Sequence, residues 1–179
     1  MTMSKVLGIC ASPRKDGNTD ILVHKVLEGA ASAGHDVEFI SLHGLNIAPC
    51  FACGACKKDH VCIHNDDMPA LIGKIREADA VVLGTPVYYW GPTAQMKAFT
   101  DRWHCDSSIF RGKTVIMTIP MEDTDVRTGR HVIGMYQDAL DYIGASLKNV
   151  ILAAGAYKKG DVLNMPVYLD AAYNAGKDI

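Results

Sequence analysis

The sequence predicts one α/β domain over residues 1–179, built on a doubly wound parallel sheet, and three observations predict it. Short apolar runs of strand length alternate five times with segments of helical periodicity. The most apolar run, Ala80–Thr85, has the unbroken hydrophobicity of a strand covered on both faces. No repeat, low-complexity tract or linker divides the 179 residues, a length at which one domain buries a sizeable core.

Taken in order, Lys5–Cys10 reads as the first buried strand and Ser12–Thr19 as a polar turn. Thr19–Ala33 follows as a helix with Leu22, Val23, Val26, Leu27 and Ala30 on one face, and Gly34 closes it. Val37–Ser41 alternates as a second strand, and a cysteine-rich loop comes after it. Asp66 and Asp67 before Met68-Pro69 read as a capped helix start, with Met68, Leu71, Ile72 and Ile75 inward. Beyond the third strand, Ala80–Thr85, and a loop at Pro86–Gly91, a helix runs from Pro92 to about Trp103. Lys113–Ile119 is the fourth strand, Val132–Ile143 an amphipathic helix, Leu147–Ala153 the fifth strand and Val167–Ala175 a last helix.

Right-handed crossovers between such strands give a parallel sheet covered on both faces. Five strands suit the flavodoxin-like order 2-1-3-4-5, with the cysteine loop inserted after strand two. Ligands of such sheets sit at the carboxyl ends of strands one and three. Two turns therefore carry the functional expectation: the one after Cys10 and the one after Thr85.

Composition excludes several function classes. Hydrophobic content of 49% and charged content of 21% are ordinary for a globular domain. A net charge of −2 gives no electrostatic case for nucleic acid or an anionic membrane surface. The start, Met1-Thr-Met-Ser-Lys5, lacks the layout of a cleavable signal, and the apolar run after it is too short to span a bilayer. The expectation is a cytoplasmic protein, whose six cysteines form no disulfide framework. Cys10 and Cys105, at the ends of a strand and a helix, read as small buried hydrophobes.

The first turn, Ser12-Pro-Arg-Lys-Asp-Gly-Asn-Thr19, offers hydroxyls at Ser12 and Thr19, the Arg14 guanidinium, a backbone relaxed at Gly17 and the Asn18 amide. It leads directly into a helix N-terminus, whose free N–H groups and dipole favour an anion. The turn is neither a Walker loop nor Gly-x-Gly-x-x-Gly, so a single terminal phosphate, as on FMN, fits it best. The second turn, Thr85-Pro-Val-Tyr-Tyr-Trp-Gly-Pro92, sets Val87, Tyr88, Tyr89 and Trp90 between Pro86 and Gly91-Pro92. A flat ring with a polar edge needs such an apolar wall with backbone donors and acceptors.

Between strand two and the next helix lies Cys50-Phe-Ala-Cys53-Gly-Ala-Cys56-Lys-Lys-Asp-His-Val-Cys62. Gaps of two, two and five residues let one loop wrap a small iron–sulfur cube, each thiolate taking a different iron, as in clustered ferredoxin ligands. Zinc sites more often pair two Cys-x-x-Cys knuckles across a long gap, so the compact spacing favours iron. Zinc on four thiols or on three with His60 or His64, and unligated thiols in a subunit contact, remain alternatives. His60 and His64 flank the last cysteine without reading as ligands.

Ser12–Thr19, Thr85–Gly91 and Met96-Lys-Ala-Phe-Thr-Asp-Arg102 resemble the FMN-binding landmarks of the NADPH-dependent FMN reductase group. The four cysteines followed by Asp66-Asp67-Met68 resemble the cluster motif of its iron–sulfur flavoprotein branch. The resemblance covers Lys5 to Ile119. It implies a homodimer or homotetramer with FMN in each subunit and a [4Fe-4S] cluster close to a flavin across the interface. It implies electrons arriving from a ferredoxin-like donor or NAD(P)H and leaving to oxygen, peroxide or a quinone. By position, Ser12, Arg14, Asn18 and Thr19 would bind the phosphate, Pro86 to Gly91 would line the isoalloxazine, and Cys50, Cys53, Cys56 and Cys62 would hold the cluster. Pro120–Thr124 lacks a family match, and its flavin contacts stay open. No catalytic side chain is required, because the cofactors carry the chemistry. A cluster-free NAD(P)H-dependent FMN or quinone reductase and a zinc-stabilised interaction module are the other readings.

Overall fold

Five parallel strands form one sheet in the order β2-β1-β3-β4-β5, with β1 at Lys5–Cys10, β2 at Asp36–Ser41, β3 at Ala80–Gly84, β4 at Thr114–Met121 and β5 at Ser146–Ala154. The computed structural model describes residues 3–179, so Met1 and Thr2 of the N-terminal reading lie outside it. Among the described residues no helix is long and apolar enough to cross a membrane. The helices are α1 (Asn18–Ser32), α2 (Met68–Glu77), α3 (Ala94–Asp101), α4 (Arg130–Ile143) and α5 (Pro166–Lys177). This is the flavodoxin-like order read from the alternation of strands and helices.

Period-two alternation divides the strands between two cores. Leu7, Ile9, Val81, Leu83, Val115 and Met117 pack with residues of α2, α3 and α4. Val6, Val82, Ile116 and Ile151 pack with Leu22, Val23 and Val26 of α1 and Ala172 of α5. The pairing of α1 with α5 depends on two glycines. A Cβ at Gly29 would stand 1.9 Å from the Tyr173 carbonyl oxygen, and one at Gly176 would stand 1.9 Å from that of Val26.

Where boundaries differ from the sequence reading, local chemistry accounts for them. The helix expected from Pro92 begins at Ala94, because the Thr93 side chain accepts a hydrogen bond from Met96 N and sets the cap. Its last turn, Arg102–Cys105, tightens into 3-10 geometry. β4 continues through Pro120, two residues past its last pairing with β3 at Gly84–Thr118. There β4 is an edge on that side, where proline is tolerated. Gly34 closes α1 as expected, at φ 88°, with Gly34 N bonded to Ala31 O and His35 N to Ala30 O.

Candidate functional site

The carboxyl ends of β1 and β3 are tied to one another before any side chain is considered. Ala11 N donates to Gly84 O at 2.8 Å, Thr93 Oγ1 donates to Ala11 O at 3.0 Å, and Thr93 N donates to Thr85 Oγ1 at 3.1 Å. The crevice above them has a volume of about 360 Å³, within the range of small-molecule sites. The β1 turn contributes Ser12, Arg14, Asn18 and Thr19, and the β3 turn contributes Pro86, Val87, Tyr88 and Tyr89.

At the β1 end, Gly17 is the N-cap of α1 and makes no side-chain cap, so the first N–H groups of the helix have no side chain closing them off. Asn18-Thr19 therefore does not cap this helix. Gly17 N donates to Arg14 O, and a Cβ at Gly17 would lie 2.8 Å from that oxygen, so the tight turn needs glycine. Arg14 Nη1 donates to Tyr157 O at 3.0 Å. The Asn18 side chain is already engaged: its amide nitrogen donates to Ala156 O and Lys158 O, and its oxygen accepts from Val162 N. Asn18 thus fastens the loop after β5 to the crevice.

The β3 turn folds back as a two-residue hairpin tip, with Tyr88 N to Gly91 O at 2.8 Å and Gly91 N to Tyr88 O at 3.0 Å. Tyr89 and Trp90 occupy its centre at φ 47° and 61°, a conformation that normally selects Asn-Gly. Tyr89 is 97% exposed. Trp90 faces an adjoining hollow with Val87, Glu122, Asp123 and Thr128 rather than the crevice itself, and Gly91 serves the turn. Sequence reasoning left residues 120–124 open and passed over Ala156 and Tyr157; Pro120, Met121, Glu122, Ala156 and Tyr157 complete the crevice wall. Topology was the available signal, since β4 ends beside β3 and β5 ends beside β4.

Cys50, Cys53, Cys56 and Cys62 border a second cavity, of about 520 Å³, in the segment between β2 and α2. Gly54 at φ 73° turns the chain into the short helix Ala55–Lys57, which carries Cys56. The neck of this loop is closed by a buried ion pair. Arg102 Nη1 donates to Asp66 Oδ2 at 2.7 Å and to Ala48 O at 2.9 Å, and Nη2 donates to Asp66 Oδ1 at 3.2 Å. The Asp66 carboxylate also accepts from Ala48 N and Met68 N, and that of Asp67 accepts from Asn46 N. The acidic pair that reads as a helix cap is therefore also a clasp, and the Asp67 side chain makes no cap at all. Burial opposes ionisation of Asp66, but hydrogen bonds from Arg102, Ala48 and Met68 outweigh it and hold its pKa below the ordinary value.

Cys105, read from sequence as structural, is buried yet borders the thiol cavity. Its Sγ donates to His60 O at 2.9 Å, and its carbonyl oxygen lies 2.9 Å from His60 Nδ1. Burial pushes its thiol up to about 11, with Cys56 and Cys62 adding to the rise. Cys10 is pushed up to about 12 by burial and lies among apolar residues under α1. His60 thus pins the loop to Cys105.

Among the described residues, no three Cys, His, Asp or Glu side chains stand close enough to hold a single ion. A cube spreads its thiolates over four corners, further apart than ligands of one ion. Four thiols around one cavity supply that donor chemistry. Two buried polar atoms without a partner, Arg102 Nε and His64 Nε2, belong to residues that border the same cavity. Of the two, the Arg102 Nε–H is a donor in every state and calls for an acceptor. The residues present fit an anionic sulfur cluster.

A family model described as NADPH-dependent FMN reductase matches residues 4–121. An iron–sulfur flavoprotein of Methanocaldococcus jannaschii is 44% identical over 98 residues, 55% of this chain and 51% of that protein. The chain spans about half the length of the curated iron–sulfur flavoproteins it matches. A putative NAD(P)H-dependent FMN-containing oxidoreductase of Bacillus subtilis is 24% identical over 94% of both chains. The structure of an NAD(P)H:quinone oxidoreductase from Methanothermobacter marburgensis superposes with a TM-score of 0.78 at 19% identity, covering 99% of this chain and 97% of that one. The chain belongs to the NADPH-dependent FMN reductase family.

Proposed function

We propose that the protein is an iron–sulfur flavoprotein that passes electrons between a [4Fe-4S] cluster held by Cys50, Cys53, Cys56 and Cys62 and FMN bound at the β1–β3 crevice. The observation that carries the reading is that both cavities are attached to α3. Thr93, which caps its start, fastens the flavin turns, while Asp101 and Arg102 at its end border the thiol cavity. Eight residues separate them, about 12 Å along the helix axis.

Bound FMN would exchange one or two electrons and the cluster one, which is the chemistry that converts between the two regimes. The protein's own part is placement. The open first turn of α1 and Arg14 receive the phosphate, Tyr88 and Val87 wall the ring, and the Arg102–Asp66 clasp holds the cysteine loop shut. Exposed Phe51, Val61 and Ile63 on that loop, with Tyr89 and Trp90 on the flavin turn, suit contact with a second copy or with a ferredoxin-like donor. Six free thiols suit a reducing compartment.

Substituting Cys53→Ser tests the assignment. Anaerobically purified variant should lose most of the iron, sulfide and broad visible absorbance while retaining FMN. Unchanged iron in C53S would exclude Cys53 as a ligand. Rapid bleaching of the flavin by NADPH alone, in wild-type protein without iron, would favour a cluster-free reductase instead.

A further inference from the structure

The Arg102 side chain is 1% exposed and its guanidinium carries five N–H donors in a rigid fork. Asp66 and Ala48 O take the terminal nitrogens. Nε is buried with no partner in the protein. Cys62 and Arg102 together border two adjoining hollows, and Arg102 borders the same cavity as all four thiols. A buried guanidinium whose Nε–H makes no bond, bordering a cavity ringed by four thiols, is a site awaiting an anionic acceptor.

We propose that Arg102 is a positioning residue for the cluster: its Nε–H donates a hydrogen bond to a cluster sulfur, the Cys62 thiolate foremost, and this bond raises the cluster's reduction potential. The inference rests on the cluster reading above. Reduction by one electron from an external donor adds one negative charge to the cluster. A fixed cation and a sulfur-directed N–H stabilise the reduced form more than the oxidised one, which is how hydrogen bonds and charge set such potentials. Asp66 fixes the orientation of the fork, so lysine cannot replace it: an ammonium keeps the charge and loses the planar Nε donor.

Two measurements test this on the intact chain. In wild-type protein labelled with nitrogen-15 arginine and reduced with dithionite, pulsed EPR should detect one arginine nitrogen coupled to the cluster; among the described residues Arg102 is the only arginine bordering the cavity. In Arg102→Lys, the potential is read on the chains that retain iron and sulfide, quantified alongside. Their reduction equilibrium should shift about tenfold against the reduced form, about 59 mV for a one-electron couple. The pulsed EPR arm needs no variant, so a misfolded R102K leaves the hydrogen bond testable. A wild-type cluster with no coupled arginine nitrogen overturns the inference alone, and an unchanged potential in R102K overturns the tuning role. Wild-type protein with no iron and sulfide overturns the cluster reading and this inference with it.

Discussion

Asp66 shows how one side chain can do more than its local sequence announces. Before Met68-Pro69 it reads as a helix cap, and it does accept from Met68 N at 3.2 Å. The same carboxylate closes the neck of the cysteine loop through Ala48 N and neutralises Arg102. Both side chains of that pair are at most 3% exposed. Asp66→Asn leaves the guanidinium buried without its counter-charge, which should cost about 3–5 kcal/mol in denaturant unfolding. The pH dependence follows from the depressed pKa of Asp66. Its stabilisation is fully present above the unfolded-state value of about 3.9 and is lost as pH falls through the lower folded value. An acid titration of stability should therefore show a loss below about pH 4 in wild-type protein that is reduced in D66N. Neither role was legible from sequence, because Arg102 lies 36 residues away and only the fold brings the two together. Cys105 is buried as its sequence position suggests, and its place in the wall of the thiol cavity appears only in the fold.

At the scale of elements, the turn after β3 combines what sequence shows with what it hides. The two prolines and three aromatics are plain in Thr85–Pro92. The hairpin tip is not, since its usual Asn-Gly signal is replaced by Tyr89-Trp90 held at positive φ. Bulky residues there carry roughly 1–2 kcal/mol of strain each, and such strain gathers at functional turns. Replacing them together, Tyr89→Asn with Trp90→Gly, should raise the thermal midpoint of flavin-free protein. The same change should weaken FMN retention in a fluorescence titration. A turn that gains no stability would show that the positive-φ geometry is not strained. The α1–α5 contact makes a complementary case. A glycine inside a helix reads as a small defect, yet Gly29 is where the Tyr173 carbonyl approaches. Gly29→Ala should destabilise the fold by about 1–3 kcal/mol through overpacking, measured by chemical unfolding.

Over the whole molecule, the sheet was legible because its strands are continuous apolar runs separated by amphipathic helices, and few connection rules fit that pattern. The crevice followed from topology, which sends a ligand to the ends of β1 and β3. Its far wall at Pro120–Glu122 and Ala156–Tyr157 carries no motif and emerges only once β4 and β5 are aligned. The second cavity depends on a long loop gripped at its base by residues distant in sequence. One eight-residue helix, α3, runs from the Thr93 cap beside the crevice to Asp101 and Arg102 at the second cavity.

Quantifying flavin, iron and acid-labile sulfide in anaerobically prepared wild-type protein, alongside its visible spectrum, tests the central claim most directly. The account predicts about one FMN, four iron and four sulfide per chain, with flavin bands on a broad cluster background. Colourless protein, or flavin without iron and sulfide, would contradict it.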